Sequence, residues 1–222
     1  MTLQLYAHPF SSYCQKVLIA LYENATPFEY RMLPPGLDGD EIAAEFAERW
    51  PLRKFPVLVD AGLTVVEATI IVEHLDLHHR GRVRFIPDDP RSALEVRMLD
   101  RFFDNYVMTP MQKIVGDAIR KPDTRDPHGV GEARALLDTA YRWLDGHLAK
   151  QREWAAGGAF SLADCAAAPS LLYADWVHPI ARPHTRVHDY RRRLLARPSY
   201  ARAVDEARPY RAMFPLGDPG RD

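Results

Sequence analysis

The stretch SSYC at residues 11–14 joins a predicted strand to a predicted helix. Apolar side chains recur at every second position up to Ala7, and from Cys14 to Leu21 they recur at helical spacing. In thiol redox proteins this junction carries Cys-x-x-Cys, whose first cysteine is reactive because the helix N-terminus stabilises its thiolate. Ser11 occupies that first position here. A serine cannot exchange disulfides, but it can donate a hydrogen bond to the thiolate of another molecule.

The residues around this junction predict an α/β unit with the element order β-α-β-α-β-β-α. Predicted strands cover residues 4–7, 28–32, 55–60 and 63–66, and the last two form a hairpin. Predicted helices cover residues 12–23, 40–48 and a stretch from 68 to near Gly81. We assign residues 1–80 to this N-terminal domain.

A polar, proline-containing segment at 81–90 is interpreted as a linker, and the sequence after it predicts an all-helical domain over 91–222. Ser92 and Glu95 have the spacing of a capping box, which predicts the start of the first long helix. Pro110 is expected to kink or interrupt that helix, because proline removes a backbone hydrogen bond.

Glycine and proline mark the remaining boundaries of the helical part. They cluster at 121–131, which predicts a loop before a long amphipathic helix. Ser161 and Asp164 give a second capping pattern for a further helix. The tail after Pro209 again contains proline and glycine and is expected to be loose.

The composition excludes several classes of function. Of the 222 residues, 47% are hydrophobic and 27% are charged, as expected for a globular protein. A net charge of −1 argues against a nucleic acid or an anionic membrane as the partner. No run is long enough for a transmembrane helix, and the first residues lack the pattern of a signal peptide. Cys14 and Cys165 form no disulfide framework, so a reducing cytoplasm is the expected location.

Pro56 begins a predicted strand and leaves two interpretations open. A cis bond before Pro56 would turn the chain sharply and free the backbone N–H and C=O of Phe55 for a peptide-like ligand. A trans proline at the start of an edge strand is the alternative, since cis bonds make up only about 5–6% of X–Pro bonds in folded proteins.

Glu67 stands at the predicted start of a helix, where unpaired N–H groups and the helix dipole favour a bound carboxylate. Glu67 itself could bind the ammonium group of the same ligand. The alternative is that Glu67 only compensates the dipole of its own helix.

Two other features have simpler explanations. Cys14 and Cys165 each lie on an apolar helical stripe, so we expect buried core thiols rather than redox centres. His74 and His78 have the i, i+4 spacing of a metal-binding pair, but no third ligand is evident and we predict no metal site.

The order and spacing of these motifs resemble those of the glutathione transferase superfamily. The motifs are Ser-x-x-Cys at 11–14, Lys-Phe-Pro-Val-Leu-Val at 54–59 and Glu-Ala-Thr-x-Ile at 67–71. In the helical half, Gly-Ala-Phe-Ser-Leu-Ala-Asp at 158–164 resembles the helix-capping motif of the family. The resemblance covers roughly residues 1–205.

The resemblance implies a thioredoxin-like N-terminal domain with a glutathione site, an all-helical C-terminal domain and a homodimer. Within that site it puts Ser11 near the glutathione sulfur, with Ser12 as the second choice. Pro56 corresponds to the cis-proline of the family, and the backbone of Phe55 would pair with the cysteinyl moiety of glutathione.

At the γ-glutamyl end of glutathione, the family usually has an acidic residue followed by a serine. Glu67 matches the acidic residue, but Ala68 replaces the serine and removes a hydroxyl bond to the ligand carboxylate. Thr69 or backbone N–H groups could compensate for that hydroxyl. Lys54 or Arg31 could bind the glycyl carboxylate at the other end, and the alternative for either is a surface charge.

Family members bind their second substrate beside the kinked helix that follows the linker. The corresponding candidates here are Phe10, Tyr106, Met108 and Trp176, for which packing in the core is the alternative explanation.

We therefore predict an enzyme that activates glutathione, its co-substrate, for attack on a small apolar electrophile without a metal. Ser11 would stabilise the thiolate of glutathione, whose thiol would otherwise resemble free cysteine with a pKa of about 8.5. The alternative is a non-catalytic or weakly glutathione-binding protein of the same fold, which Ala68 favours. A thiol–disulfide enzyme is disfavoured by Ser11.

Overall fold

Residues 2–150 and 152–222 are described by a computed structural model, and within them a four-stranded sheet forms the centre of the N-terminal domain. The strands are β1 (Leu3–Ala7), β2 (Phe28–Met32), β3 (Val57–Asp60) and β4 (Leu63–Val66). They lie in the order β2-β1-β3-β4, with β1 parallel to β2 and antiparallel to β3. The helices of this domain are α1 (Ser12–Glu23), α2 (Glu41–Arg49) and α3 (Ala68–His78). This is the predicted thioredoxin-like arrangement.

The rest of the chain is helical, as predicted. Helix α4 (Pro90–Phe102) continues through a π-helical turn (Phe103–Met108) into α5 (Thr109–Ala118), and Pro110 lies in the first turn of α5. The later helices are α6 (Pro127–Leu148), α7 (Leu162–Val177), α8 (Thr185–Ala196) and α9 (Pro198–Ala207). Within 2–150 and 152–222, no helical stretch combines the length and the apolar character that a bilayer crossing needs.

Helix α1 is buried along most of its length and connects the two domains. Its residues from Cys14 to Leu21 are at most 1% exposed. It packs against α3 of its own domain and against α7 and α9 of the helical domain. The N-terminus of α1 therefore lies where residues of both domains can meet.

The start of α4 differs from the prediction. Asp89 is the N-cap, and its side chain accepts hydrogen bonds from the backbone nitrogen and the hydroxyl of Ser92 at 2.8 and 2.7 Å. Pro90 occupies the first turn, where its missing N–H would be unpaired in any case. The predicted capping box of Ser92 and Glu95 is wrong, and Glu95 instead forms an ion pair with Arg152.

Helix α6 begins at Pro127, inside the predicted loop of 121–131, so the loop is shorter than predicted. Asp126 is its N-cap and Pro127 its first residue, a combination that starts a helix despite the nearby glycines. Helix α7 does begin at the predicted capping box of Ser161 and Asp164.

The first part of the C-terminal tail is packed, which corrects the prediction up to Phe214, whereas residues 215–222 form no helix or strand and are mostly exposed. Residues Arg208–Met213 form a 3-10 helix, and Phe214 behind it is only 6% exposed. The centroid of the Phe214 ring lies 5.2 Å from that of Trp176. Arg211 adds an ion pair with Asp222. Proline and glycine content misled the prediction because contacts with distant residues, such as that of Phe214 with Trp176, are not visible in the local sequence.

Candidate active site

A cavity of about 900 Å³ opens beside the N-terminus of α1, with walls from both domains. Most of the residues that the sequence singled out border it. They are Phe10, Ser11, Ser12, Lys54, Phe55, Pro56, Glu67 and Ala68. Residues far apart in the sequence thus share one space large enough for a small peptide and a second small molecule.

Ser11 is the N-cap of α1 and borders the cavity. Its backbone is extended, with φ −84° and ψ 125°, and its hydroxyl oxygen accepts a hydrogen bond from the backbone nitrogen of Cys14 at 3.4 Å. A serine in this position satisfies one of the unpaired N–H groups at the helix start. Because the hydroxyl accepts this bond, it still has a proton to donate.

Ser12 and Tyr13 follow on the first turn and also line the cavity. Ser12 is only 9% exposed, whereas Ser11 is partly buried, so the Ser11 hydroxyl is the more accessible of the two. Burial and, secondarily, the Asp104 carboxylate raise the pKa of Tyr13 to about 12. The phenol of Tyr13 therefore remains a neutral hydrogen-bond donor near neutral pH.

Cys14 and Cys165 are completely buried, as predicted. Burial raises the pKa of the Cys14 thiol to about 12, although hydrogen bonds with Ser11 and with the backbone of His8 oppose the rise. Burial likewise raises the pKa of Cys165 well above its ordinary value. Neither residue supplies a thiolate to the cavity.

The Phe55–Pro56 peptide bond is cis, and both residues line the cavity directly before β3. The ladder of β3 begins at Val57, which pairs with Tyr6 of β1 and with Val66 of β4. The backbone of Phe55 therefore lies ahead of the ladder and beside the cavity.

Two basic residues, Arg53 and Lys54, also border the cavity. Arg53 forms an ion pair with Asp38 at 2.9 Å, whereas Lys54 is exposed. Arg31, the other candidate for a ligand carboxylate, does not line the cavity and pairs with Glu45 at 2.6 Å.

Glu67 and Ala68 border the cavity at the N-terminus of α3. Glu67 has a φ of +70°, a left-handed conformation that residues other than glycine rarely adopt and that is often found at functional sites. Its exposed side chain makes no capping hydrogen bond to α3. The first N–H groups of α3 thus have no side-chain cap from Glu67, and Ala68 has no hydroxyl.

Thr69 does not line the cavity, so it does not replace the missing serine. Its hydroxyl accepts a hydrogen bond from Lys16 Nζ and donates one to Asp100 Oδ2, both at 2.9 Å. Lys16 is 1% exposed and lies 2.5 Å from Asp100 and 2.9 Å from Asp104. This interdomain cluster joins α1 and α3 to α4 and to the π-helical turn.

Arg101 and Asp104 belong to the same cluster and also line the cavity. Arg101 donates hydrogen bonds to Thr69, Asp100 and Asp104, yet 49% of its side chain is exposed. Burial raises the pKa of Asp104, while Lys16 and Arg101 oppose the rise.

This cluster was not predicted from the sequence, because its members come from four separate elements, α1, α3, α4 and the π-helical turn. A usable signal was present, since Asp100 follows Val96 by four residues and therefore falls on the apolar stripe of that helix.

The apolar part of the wall consists mostly of residues that the sequence did not identify. It includes Met111, Val115 and Ile119 after the π-helical turn, Tyr173 of α7, and Met213 and Phe214 of the tail. Phe10 stands perpendicular to Tyr173, with 5.6 Å between the ring centroids. An apolar second molecule could therefore bind between α5 and the tail.

The other residues predicted for this pocket lie elsewhere. Trp176 packs behind the wall, 6.4 Å from Phe10 between ring centroids. Tyr106 lies beside Phe102 with 5.9 Å between the ring centroids, and Met108 is 1% exposed within the core. For Met108, packing in the core is thus the better explanation.

A histidine cluster lies apart from the cavity and differs from the pair noted in the sequence. Asp60 accepts hydrogen bonds from His74 at 2.9 Å and from His79 at 2.7 Å. The ligand atoms of these three residues lie within 4.8 Å of one another, while His78 only packs its ring against His74. The two imidazoles hold the pKa of Asp60 below its usual range, and the bonds tie the β3–β4 hairpin to the end of α3.

Comparison with known families and proteins covers both domains. A model of the glutathione S-transferase N-terminal domain matches residues 5–82, and a model of the glutathione S-transferase C-terminal domain matches residues 117–193. The first contains the strand–helix junction at Ser11 together with Phe55 and Glu67.

Similar proteins include glutathione S-transferase theta-1 of Bos taurus, which is 25% identical over 185 residues, or 78% of this chain and 73% of that protein. Maleylacetoacetate isomerase of Mus musculus is 24% identical over 196 residues, or 86% of this chain and 87% of that protein. A glutathione S-transferase of Methylobacterium radiotolerans, solved in complex with glutathione sulfonate, has a TM-score of 0.78 at 27% identity and covers 92% of this chain and 95% of its own.

Proposed function

This chain belongs to the glutathione S-transferase superfamily, and on that premise we propose that it binds glutathione in the cavity and activates its thiol for attack on a small apolar electrophile. The observation that carries the proposal is that Ser11, at the N-terminus of α1, borders the same cavity as Phe55 and Glu67. These positions suit the sulfur, the backbone and the γ-glutamyl end of one glutathione molecule.

Ser11 stabilises the thiolate in this proposal and is not a nucleophile. Lowering the pKa of a thiol by about two units from about 8.5 requires roughly 2.7 kcal/mol of preference for the charged form. A charge-assisted hydrogen bond from the Ser11 hydroxyl and the dipole of α1 together supply a preference of this size. Ser12 is the second choice for the same role.

The peptide part of glutathione is held along the N-terminal domain. The backbone N–H and C=O of Phe55 pair with the cysteinyl residue, because they lie beside the cavity ahead of the β3 ladder. Lys54 binds the glycyl carboxylate, and Glu67 binds the γ-glutamyl ammonium group.

The electrophile binds against the apolar wall formed by Phe10, α5 and the tail. Its electrophilic carbon accepts the electron pair of the glutathione sulfur and forms a new carbon–sulfur bond. In an addition the resulting anion takes up a proton, and in a dehalogenation a halide leaves with its electron pair. An isomerisation would use the same thiolate and release it again.

We also propose that the protein is a homodimer in a reducing cytoplasm. Helices α3 and α4 expose four apolar residues that are each 45–68% accessible to solvent: Ile70, Leu77, Leu94 and Met98. Ile70 and Leu77 lie on one face of α3, and Leu94 and Met98 lie on one face of α4. An apolar face of this kind commonly marks a protein interface.

The rival proposal is a glutathione-binding or interaction protein without catalysis. Ala68 favours it, because the missing hydroxyl removes a hydrogen bond worth about 1.5–3 kcal/mol when the partner is charged.

Calorimetric titration with glutathione, followed by a conjugation assay with a chlorodinitrobenzene, separates these proposals. The enzyme predicts saturable binding and a rate above the uncatalysed reaction that rises with pH through the lowered thiol pKa. Binding without any rate above background would support the rival, and no binding at millimolar glutathione would overturn the enzyme proposal.

A further inference from the structure

The N-terminus of α3 offers a ligand carboxylate fewer donors than a serine at position 68 would give. The unpaired N–H groups of its first turn are present, but Ala68 contributes no hydroxyl. The hydroxyl of Thr69, the next residue, already accepts from Lys16 and donates to Asp100. A further donor for the carboxylate must therefore come from another element.

Arg101 of α4 is the cation that the structure brings to this point. Its Nη2 group donates a hydrogen bond to the hydroxyl of Thr69, the residue that follows Ala68. The guanidinium therefore lies beside the first turn of α3. Arg101 lines the cavity together with Glu67 and Ala68, and half of its side chain is exposed. Within 2–150 and 152–222, its hydrogen bonds are made by Nε and Nη2, which leaves both donors of Nη1 for a ligand.

The charges of the cluster allow this use of Arg101. Lys16 forms ion pairs with the carboxylates of Asp100 and Asp104 from the core side, with its Nζ atom 2.5 and 2.9 Å from their oxygens. Arg101 approaches the same carboxylates from the cavity side, so they fix its guanidinium while it remains open to solvent. Glu67, by contrast, has an exposed carboxylate that makes no capping bond to α3.

We propose that Arg101 binds the α-carboxylate of the γ-glutamyl residue and so replaces the hydroxyl that Ala68 lacks. The ligand class is a γ-glutamyl peptide with a free α-carboxylate and a free α-ammonium group. Arg101 binds the α-carboxylate and Glu67 binds the α-ammonium group. This inference rests on the proposed binding of glutathione, and it adds a binding residue from the helical domain.

The test compares two ligands on four proteins by calorimetry. The ligands are glutathione and its analogue in which the γ-glutamyl α-carboxylate is an amide. The proteins are the unaltered chain, Arg101→Gln, Ala68→Ser and the double variant. Arg97→Gln is the matched control, because Arg97 lies one turn away on α4 and pairs with Glu73 at 2.8 Å without lining the cavity.

Arg101→Gln should weaken glutathione binding by about 10- to 100-fold and change the amide analogue much less, since a hydrogen bond to a charged group contributes about 1.5–3 kcal/mol. Ala68→Ser should recover most of that loss in the double variant. Arg97→Gln should bind both ligands as the unaltered chain does.

Each other outcome has a distinct meaning. If the unaltered chain binds no glutathione, the proposed function itself fails. If it binds glutathione and Arg101→Gln binds equally well, or loses both ligands to the same degree, the role of Arg101 is overturned. Loss of both ligands would indicate a purely structural role in the interdomain cluster.

Discussion

The hydroxyl oxygen of Ser11 accepts a hydrogen bond from the backbone nitrogen of Cys14, so the side chain proposed to meet a thiolate also begins helix α1. The two roles are compatible, because accepting a bond at the helix start leaves the proton of the hydroxyl for a ligand. They also complicate mutagenesis, since replacing Ser11 changes the helix cap as well as the site.

Ser11→Gly should therefore test the chemistry better than Ser11→Ala. Alanine at an N-cap costs about 0.5–2 kcal/mol of stability, whereas glycine costs only a few tenths. Ser11→Gly should raise the pKa of bound glutathione by about one to two units and slow conjugation at neutral pH by about 10- to 100-fold. Ultraviolet absorbance of the thiolate and the pH–rate profile measure both effects. If the pH–rate profile is unchanged in Ser11→Gly but shifted in Ser12→Ala, Ser12 is the residue that stabilises the thiolate.

The two cysteines should be unreactive in the folded protein. Because burial raises the pKa of Cys14 to about 12 and that of Cys165 well above its ordinary value, both thiols stay protonated from pH 7 to 9. A thiol-specific chromogenic reagent should detect neither thiol in native protein and both after unfolding in guanidinium chloride. Rapid modification of Cys14 in native protein would revive the disfavoured thiol–disulfide hypothesis.

Lys16→Met should destabilise the protein strongly. Removing one partner of a buried ion pair leaves uncompensated charge and typically costs about 3–5 kcal/mol, and here two carboxylates are left behind. Urea unfolding measures the change, and adding Asp100→Asn should recover part of it. Lys113→Met is the control, because Lys113 and Glu132 form an exposed pair and its loss should cost no more than about 1 kcal/mol. Equal effects at both sites would contradict the importance of the buried cluster.

Phe214→Ala should open the cavity wall from the side of the tail. Truncating a buried phenylalanine costs about 3–5 kcal/mol. It should also raise KM for the apolar electrophile more than KM for glutathione, because the ring borders the apolar part of the cavity. Leu216→Ala two residues later is the control, since Leu216 is 50% exposed. Unchanged stability in Phe214→Ala would mean that the tail is not anchored in solution.

The exposed apolar face of α3 and α4 should be covered by a second copy of the chain. Introducing charge with Ile70→Lys and Leu94→Lys together should convert the dimer to a monomer, as measured by light scattering after size-exclusion chromatography. Leu136→Lys is the control, because Leu136 is 40% exposed on α6. A monomeric unaltered protein would contradict the dimer directly.

The sequence predicted well those features that depend on local pattern. Helix α1 and strands β2 and β4 have the predicted bounds, because alternation and helical spacing are read within a few residues. The candidate residues of the N-terminal domain that border the cavity were found for the same reason, since each lies next to the start of a strand or the start of a helix.

Features that depend on contacts between distant residues could not be predicted in this way. Arg101 and Asp104 line the cavity and share a cluster with Lys16 of α1, which is far from them in the sequence. The ring of Phe214 packs against Tyr173 of α7 and against Phe10 on the loop before α1. No local sequence pattern reveals these contacts. Tyr106 and Met108 both lie on the π-helical turn but do not line the cavity, and the sequence pattern does not show that Met108 is buried while Tyr106 is exposed.

The contribution of residues 213–215 to the wall has a consequence during synthesis. The N-terminal domain can fold while the ribosome is still adding residues at about 5–20 per second, but the cavity cannot be complete until the tail has emerged. Lys16 lacks its partner carboxylates until α4 and the π-helical turn have emerged, and α1 lacks its contacts with α7 and α9 until those helices follow. A ligand of the finished cavity cannot protect that early intermediate, so the nascent sheet must survive this interval unaided or with a chaperone.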